Sequence, residues 1–135
     1  MINAKVQLTV IAVFQILMVF GYGKFRRIKA QTFSDPFMTK LGVGDLDGWS
    51  ILHLITFALL GYIYPEEFWF SMFLGVLWEF IEWSLGALDV PEWVRVFAGA
   101  AVPDGEGRWW YGRLSDIVMN ALGFGLGIWI ATSLA

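Results

Sequence analysis

Residues 115–134 read SDIVMNALGFGLGIWIATSL, an apolar run that carries a carboxylate and an amide near its beginning. A run of this length crosses a hydrocarbon core of about 30 Å as an α-helix, which rises about 1.5 Å per residue. Three more such runs precede it, and the four predicted spans cover about residues 7–23, 49–64, 67–86 and 115–134. Because backbone groups in lipid must satisfy one another, each span is expected to be helical. We therefore predict an all-α, polytopic integral membrane protein with one domain, residues 1–135.

The composition supports this class. Of 135 residues, 58% are apolar and 16% are charged, whereas soluble proteins average about 45 to 50% apolar and about 25% charged residues. The net charge of -3 argues against a nucleic-acid partner, because phosphate binding needs an excess of Lys and Arg. The chain has no cysteine, which excludes disulfides, zinc sites built on thiolates and cysteine nucleophiles. Membrane lipids are the partners that this composition predicts.

The distribution of basic residues predicts the topology, because Lys and Arg are retained on the cytoplasmic side. The basic residues of the first and third loops are Lys24, Arg26, Arg27, Lys29, Lys40, Arg95, Arg108 and Arg113. The second loop carries only Glu66 and Glu67. Loops one and three are thus predicted to be cytoplasmic, and both termini periplasmic or lumenal. The positive charge follows the first apolar run, so we interpret this run as a retained span and not as a signal peptide.

Short interfacial helices are predicted in both cytoplasmic loops. In loop one, Asp35 is a suitable N-cap and Pro36 a suitable first residue for a helix PFMTKL that stops at Gly42. In loop three, the segment VPEWVRVFAG, residues 90–99, follows Asp89 and combines apolar and charged residues in the way that suits a helix lying in the membrane interface.

Four ionisable side chains lie inside the predicted spans, where each charge costs on the order of 2.5 to 3.5 kcal/mol. They are His53, Glu79, Glu82 and Asp116. With the predicted topology, all four lie within roughly 10 Å of the cytoplasmic membrane plane, as does Asn120 one turn beyond Asp116. Arg113, three residues before Asp116, shares its helix face and can join from the interface. We expect the helices to bring these side chains together inside the bundle.

A histidine with three carboxylates and an amide oxygen predicts a site for a divalent cation. The predicted metal ligands are His53, Glu79, Glu82 and Asp116, with Asn120 in support. Such an oxygen-rich set suits Mg²⁺ or Mn²⁺, and the histidine also admits Zn²⁺ or Fe²⁺. Two other interpretations stay open at this point: a hydrogen-bonded network in which carboxylates are protonated, and a path for protons or ions.

Three functions are compatible with such a site. The first is a metal-dependent membrane hydrolase or transferase that acts on a lipid or polyprenyl-phosphate head group at the cytoplasmic face. Glu79 and His53 are its candidate catalytic residues, also in a metal-free acid–base version. Arg108 and Arg113 would meet the anion. The second function is a proton- or ion-coupled carrier or channel, and the third is a non-catalytic membrane subunit or assembly factor.

Three parts of the sequence carry a family resemblance: His53, WEFIE at residues 78–82, and YGRLSDIVMNALGFGLG at residues 111–127. They resemble the VanZ-like superfamily of small helical membrane proteins, including its YjdF-type members. In those families an acidic residue and a histidine enter one span, a glutamate lies late in the next, and an Asp-x-x-x-Asn-x-x-Gly pattern opens the last. The acidic residue before the histidine is here Asp47, six positions away. The residues here that match these positions are His53, Glu79, Asp116, Asn120 and Gly123. The resemblance implies a helical membrane fold and no defined reaction.

Glycines in the last span predict close helix packing. Gly123 and Gly127 lie four residues apart, the small-xxx-small spacing that lets two membrane helices approach closely. The chain could therefore form a homo-oligomer or join a larger membrane complex through this face.

Overall fold

A computed structural model of the protein describes residues 3–29, 35–87, 91, 93 and 112–134. Its helices are α1 (Ala4–Ile28), α2 (Gly48–Ile63), α3 (Phe68–Ala87) and α4 (Leu114–Ser133). Two 3-10 turns, Pro36–Met38 and Pro65–Glu67, lie before α2 and between α2 and α3. Within the described ranges the chain forms no strand. The predicted all-α class is therefore confirmed.

Two of these helices have the length and composition of membrane spans. Ala4–Arg26 within α1 and Leu114–Ser133 are both long and apolar enough to cross a membrane. α2 is a shorter apolar helix of 16 residues, and the 20-residue α3 contains Glu79 and Glu82. The bounds of α2, α3 and α4 lie within one residue of the predicted runs, and α1 extends beyond its predicted run, 7–23, at both ends. Length and composition support membrane crossing only for α1 and α4 among the described helices.

Side-chain caps set the beginning of α2, which carries part of the site. The carboxylate of Asp47 accepts hydrogen bonds from the backbone N–H groups of Trp49 and Ser50, at 3.0 and 3.2 Å. In return, the Ser50 hydroxyl accepts the backbone N–H of Asp47. This reciprocal arrangement is a capping box, and it satisfies donors that a helix otherwise leaves unpaired. The helix ends before Pro65, which cannot continue the hydrogen-bond pattern.

The helix predicted in loop one is shorter than expected. Asp35 caps it as predicted, but the 3-10 turn ends after Met38 instead of extending to Gly42. The chain reverses at Gly42, whose φ of 76° lies in the region that favours glycine. This reversal brings Lys40 into an antiparallel bridge with Asp47, so the segment is extended rather than helical.

The helix predicted in loop three, residues 90–99, lies outside the described residues apart from Pro91 and Trp93. Arg108 of the same loop also lies outside them.

α2 and α4 pack closely because glycines line their contact. A Cβ atom at Gly123 would collide with the backbone carbonyl of Leu54, and one at Gly127 with that of Ala58. Gly61 of α2 meets the backbone of α4 in the same way. The small-residue spacing thus serves close helix approach, as predicted, but it does so inside one chain. An oligomer, which stays a prediction, would need a face other than the one that Gly123 and Gly127 form.

Candidate functional site

Three of the four ionisable side chains predicted to meet do so at one end of the bundle, where α2, α3 and α4 come together. His53, Glu79 and Asp116 each offer one ligand atom, and these atoms all lie within 4.8 Å of one another. Glu79 and Asp116 are buried, and His53 is half-buried. We call these residues the three-residue group. The convergence that helix depth predicted is confirmed for its members.

Arg113 ties the beginnings of α2 and α4 together. Its Nε donates to Oδ2 of Asp116 at 3.0 Å, and its Nη2 donates to Oδ1 of Asp47 at 2.9 Å. The Ser50 hydroxyl donates to the other oxygen of Asp116 at 2.6 Å. One guanidinium therefore pairs with two carboxylates that are almost fully buried. This pairing offsets part of the cost of removing those carboxylates from water.

Glu79 is oriented by the chain just before α4. The backbone N–H of Arg113 donates to Oε2 of Glu79 at 2.8 Å. Gly112 makes this approach possible, because a Cβ atom there would collide with the backbone carbonyl of Glu79. The other carboxylate oxygen, Oε1, is buried and has no hydrogen-bond partner within the described part of the chain. That oxygen is consequently available to a ligand.

Asn120 sets the orientation of His53. The Nδ1 atom of His53 lies 2.9 Å from Oδ1 of Asn120, so with the amide in this orientation Nδ1 carries the hydrogen and Nε2 keeps its lone pair. Nε2 lies 3.6 Å from Oε1 of Glu79. Two lone pairs that face each other in a buried site repel, unless a proton or a cation lies between them. A histidine held through its second nitrogen is also the usual arrangement of a metal ligand.

The three-residue group fits a small divalent cation after a slight closure. Metal–ligand distances of about 2.1 Å allow two opposite ligand atoms to lie about 4.2 Å apart, and the separations here reach at most 4.8 Å. One imidazole and two carboxylates leave further coordination positions for water or substrate. Mg²⁺, Mn²⁺, Zn²⁺ and Fe²⁺ all accept this set of donors.

A cavity of about 260 Å³ adjoins the group, between α1, α2 and α3. Most of its wall is formed by apolar side chains, among them Leu8 and Leu60. His53 and Glu82 lie in the wall as well. His53 thus belongs to the three-residue group and also lines the cavity, so a molecule in the cavity can contact His53.

The first loop packs against the cavity wall. Trp49 lines the cavity, and its ring centroid lies 5.7 Å from that of Tyr22 and 4.9 Å from that of Phe37. Asp35 holds this arrangement in place, since it accepts a hydrogen bond from the Tyr22 hydroxyl and forms an ion pair with Arg26. The end of the cavity at Trp49 thus adjoins an aromatic cluster formed by Tyr22, Phe37 and Trp49.

The predicted site residues have different positions in the structure. Glu82 is not part of the three-residue group and lies in the cavity wall instead. Asn120 and Arg113 are at the site, as predicted, but the Arg113 guanidinium contacts Asp47 and Asp116 rather than facing an open anion position.

Two residues of the site, Asp47 and Ser50, were not among the predicted site residues. Both are buried, with 0% of their surface exposed, and both belong to the network around Arg113. A signal for them exists, because Asp-x-x-Ser directly before an apolar run has the spacing of a helix cap.

No family model, curated protein or solved structure matches the chain. The VanZ-like resemblance accordingly stays a prediction from the sequence.

Proposed function

We propose that the protein is a four-span integral membrane protein that binds a divalent cation through His53, Glu79 and Asp116 and acts as a hydrolase or transferase on a lipid-like substrate. The observation that carries this proposal is the position of His53, which lies in the wall of an apolar cavity and also belongs to the three-residue group. An apolar chain in the cavity would place a polar head group beside the cation.

The exposure of the helices supports a membrane environment. Only 11% of the candidate span in α1 and 28% of that in α4 are buried within the protein. Large apolar side chains such as Phe14 and Trp129 are exposed, at 62% and 64%. A soluble protein would present these surfaces to water at a large cost in free energy, whereas lipid covers them at none.

A cation at this site would act as a Lewis acid on a head-group oxygen or on a bound water molecule. The residues of the chain prepare the site for it. Asn120 directs the Nε2 lone pair of His53, and the backbone N–H of Arg113 holds Glu79 so that its free oxygen faces His53. Because Arg113 is already paired with carboxylates, the cation rather than Arg113 is the group that would contact a head-group oxygen.

Metal analysis of the purified protein tests the proposal. The parent protein, exchanged into metal-free buffer after loading with Mg²⁺, Mn²⁺, Zn²⁺ or Fe²⁺, is expected to retain about one equivalent of one of these metals per chain. His53→Ala and Glu79→Gln should lose it. Glu66→Gln is the matched control, because Glu66 is exposed and lies in the turn between α2 and α3. Absence of a stoichiometric metal from the parent protein would contradict the proposal.

An ion-coupled carrier is the second candidate, and the polar residues of the cavity wall favour it. Gln15, Thr56 and Ser71 line the cavity beyond His53, and the Ser71 hydroxyl is buried without a hydrogen-bond partner among the described residues. Flux of protons or cations into proteoliposomes distinguishes the two functions. A carrier requires flux that Glu79→Gln abolishes, whereas the enzyme requires none. In a non-catalytic subunit, Glu79→Gln would lower stability and no metal or flux would be detected.

A further inference from the structure

The cavity between α1, α2 and α3 is elongated along the helices. Its lining residues run from Leu8 to Val19 on α1, from Trp49 to Leu60 on α2, and from Ser71 to Glu82 on α3. The three stretches contain equal numbers of residues, and each is about 17 Å long at about 1.5 Å per residue. The cavity is therefore long enough for one extended alkyl chain. Its two ends differ in polarity.

One end of the cavity is acidic and aromatic. Glu82 is the only carboxylate among the lining residues that the structure describes, and none of those residues is a lysine or an arginine. Trp49 and Trp78 lie in the wall at the same end, and the Trp78 side chain forms a hydrogen bond with Glu82. The opposite end, around Leu8 and Leu60, is apolar apart from Ser71.

Two basic side chains near this end that the structure describes face other carboxylates. Arg113 pairs with Asp47 and Asp116, and Arg26 pairs with Asp35. A buried carboxylate is stable as an anion only when a positive charge accompanies it. No described residue of the cavity wall supplies that charge at Glu82, and a cationic ligand would supply it.

An ammonium group matches this end of the cavity in two ways. It supplies the charge that complements the Glu82 carboxylate, and it interacts favourably with the π-faces of tryptophan, which attract cations most strongly among the aromatic side chains. Binding of a phosphate at this end is unfavourable, because the Glu82 carboxylate would repel it and the described wall offers no basic side chain.

We propose that the cavity binds an amphiphile with an ammonium-bearing head group, whose alkyl chain lies along α1–α3 and whose ammonium lies beside Glu82, Trp49 and Trp78. The inference rests on the proposed function for the role of this amphiphile as substrate. It narrows the substrate class from lipids and polyprenyl phosphates to lipids that carry an ammonium group.

Calorimetric titration with chain-matched amphiphiles tests the inference. The probes are dodecyltrimethylammonium, dodecyl phosphate and the uncharged dodecyl glyceryl ether, added to the protein in maltoside micelles with empty micelles as the blank. We expect the ammonium probe to bind at least about tenfold more tightly than the other two. In Glu82→Gln this preference should fall to within about twofold, because the amide has the same shape without the charge. Glu66→Gln, the exposed control, should keep it.

The preference of the parent protein decides the matter even if Glu82→Gln fails to fold. Equal binding of all three probes, or tighter binding of the phosphate, would overturn the inference. So would an ammonium preference that Glu82→Gln leaves intact, because micelle or surface charge would then explain it. Metal content, measured on the same parent sample, separates the two proposals. Metal without ammonium preference removes only the substrate class, and ammonium preference without metal removes only the metal enzyme.

Discussion

The backbone N–H of Arg113 donates a hydrogen bond to Oε2 of Glu79 at 2.8 Å. The side chain of the same arginine extends the other way and binds Asp47 at the start of α2 and Asp116 in the first turn of α4. One residue before α4 thus orients a carboxylate of α3 and neutralises carboxylates of α2 and α4. Arg113 therefore links all three helices that carry the candidate site, α2, α3 and α4.

Arg113→Met is therefore expected to destabilise the protein strongly. The variant keeps the backbone hydrogen bond to Glu79 but leaves two buried carboxylates without their cation, a change that typically costs about 3 to 5 kcal/mol. Thermal unfolding in detergent measures it. Lys24→Met removes an exposed positive charge from α1 and should change stability by less than about 0.5 kcal/mol. Equal stability of the two variants would contradict the role of Arg113.

Gly127→Ala is expected to separate α2 from α4. The added methyl group collides with the backbone carbonyl of Ala58, which cannot move aside as a side chain could. We expect a loss of about 1 to 3 kcal/mol, the range of overpacked cores, seen as a lower midpoint of thermal unfolding.

The matched control for this substitution is Gly125→Ala on the same helix. A Cβ atom there meets nothing within 4 Å, so the substitution should be neutral or slightly stabilising. If both alanine variants unfold at the same temperature, the close contact between α2 and α4 does not exist.

Asn120→Ala is expected to weaken metal binding while all three ligands remain. Without the amide oxygen that accepts from Nδ1, His53 is free to change tautomer and orientation, and loss of such an outer partner typically costs about 10- to 100-fold in metal affinity. Competition with a chelator measures the affinity. Thr132→Val, on the exposed end of α4, is the control. Unchanged affinity in Asn120→Ala would show that Asn120 does not position the ligand.

Single-cysteine labelling is expected to reveal opposite sides of the membrane for the first and second loops. The chain has no cysteine of its own, so each label reports one position. Val43→Cys, at a residue that is 66% exposed, should react with an impermeant maleimide only after the cells are opened. Glu66→Cys should react on intact cells. Reaction of both variants on intact cells would refute the predicted topology.

Much of the site could be predicted because depth in a membrane helix follows from counting residues. In the predicted topology His53, Glu79 and Asp116 lie at similar depths on α2, α3 and α4, and the cost of isolated charges in lipid favours their contact. The direction in which each side chain points around the helix axis is harder to predict from the sequence. Glu79 and Glu82 are three residues apart, and at about 100° per residue their side chains point about 60° from each other. This rotation directs Glu79 to the three-residue group and Glu82 to the cavity.

The remaining features that were not predicted all depend on contacts between residues far apart in the sequence. Asp47 and Ser50 are polar residues before an apolar run, and such residues are solvated turns in most sequences. They are buried here because Arg113, 63 residues beyond Ser50 in the chain, reaches them. The spacing of Gly123 and Gly127 indicated a close helix contact, but it did not identify α2 of the same chain as the partner.

The all-α class, the apolar runs that form α1 to α4 and the position of each polar residue along them follow from the sequence alone, because hydrophobic length and helical rise are local properties. Which of those residues face one another depends on the rotation and contact of whole helices, so it is seen only in the folded protein. Arg113 paired with Asp47 and Asp116, Glu79 opposite His53, and Glu82 turned into the cavity are all consequences of that packing.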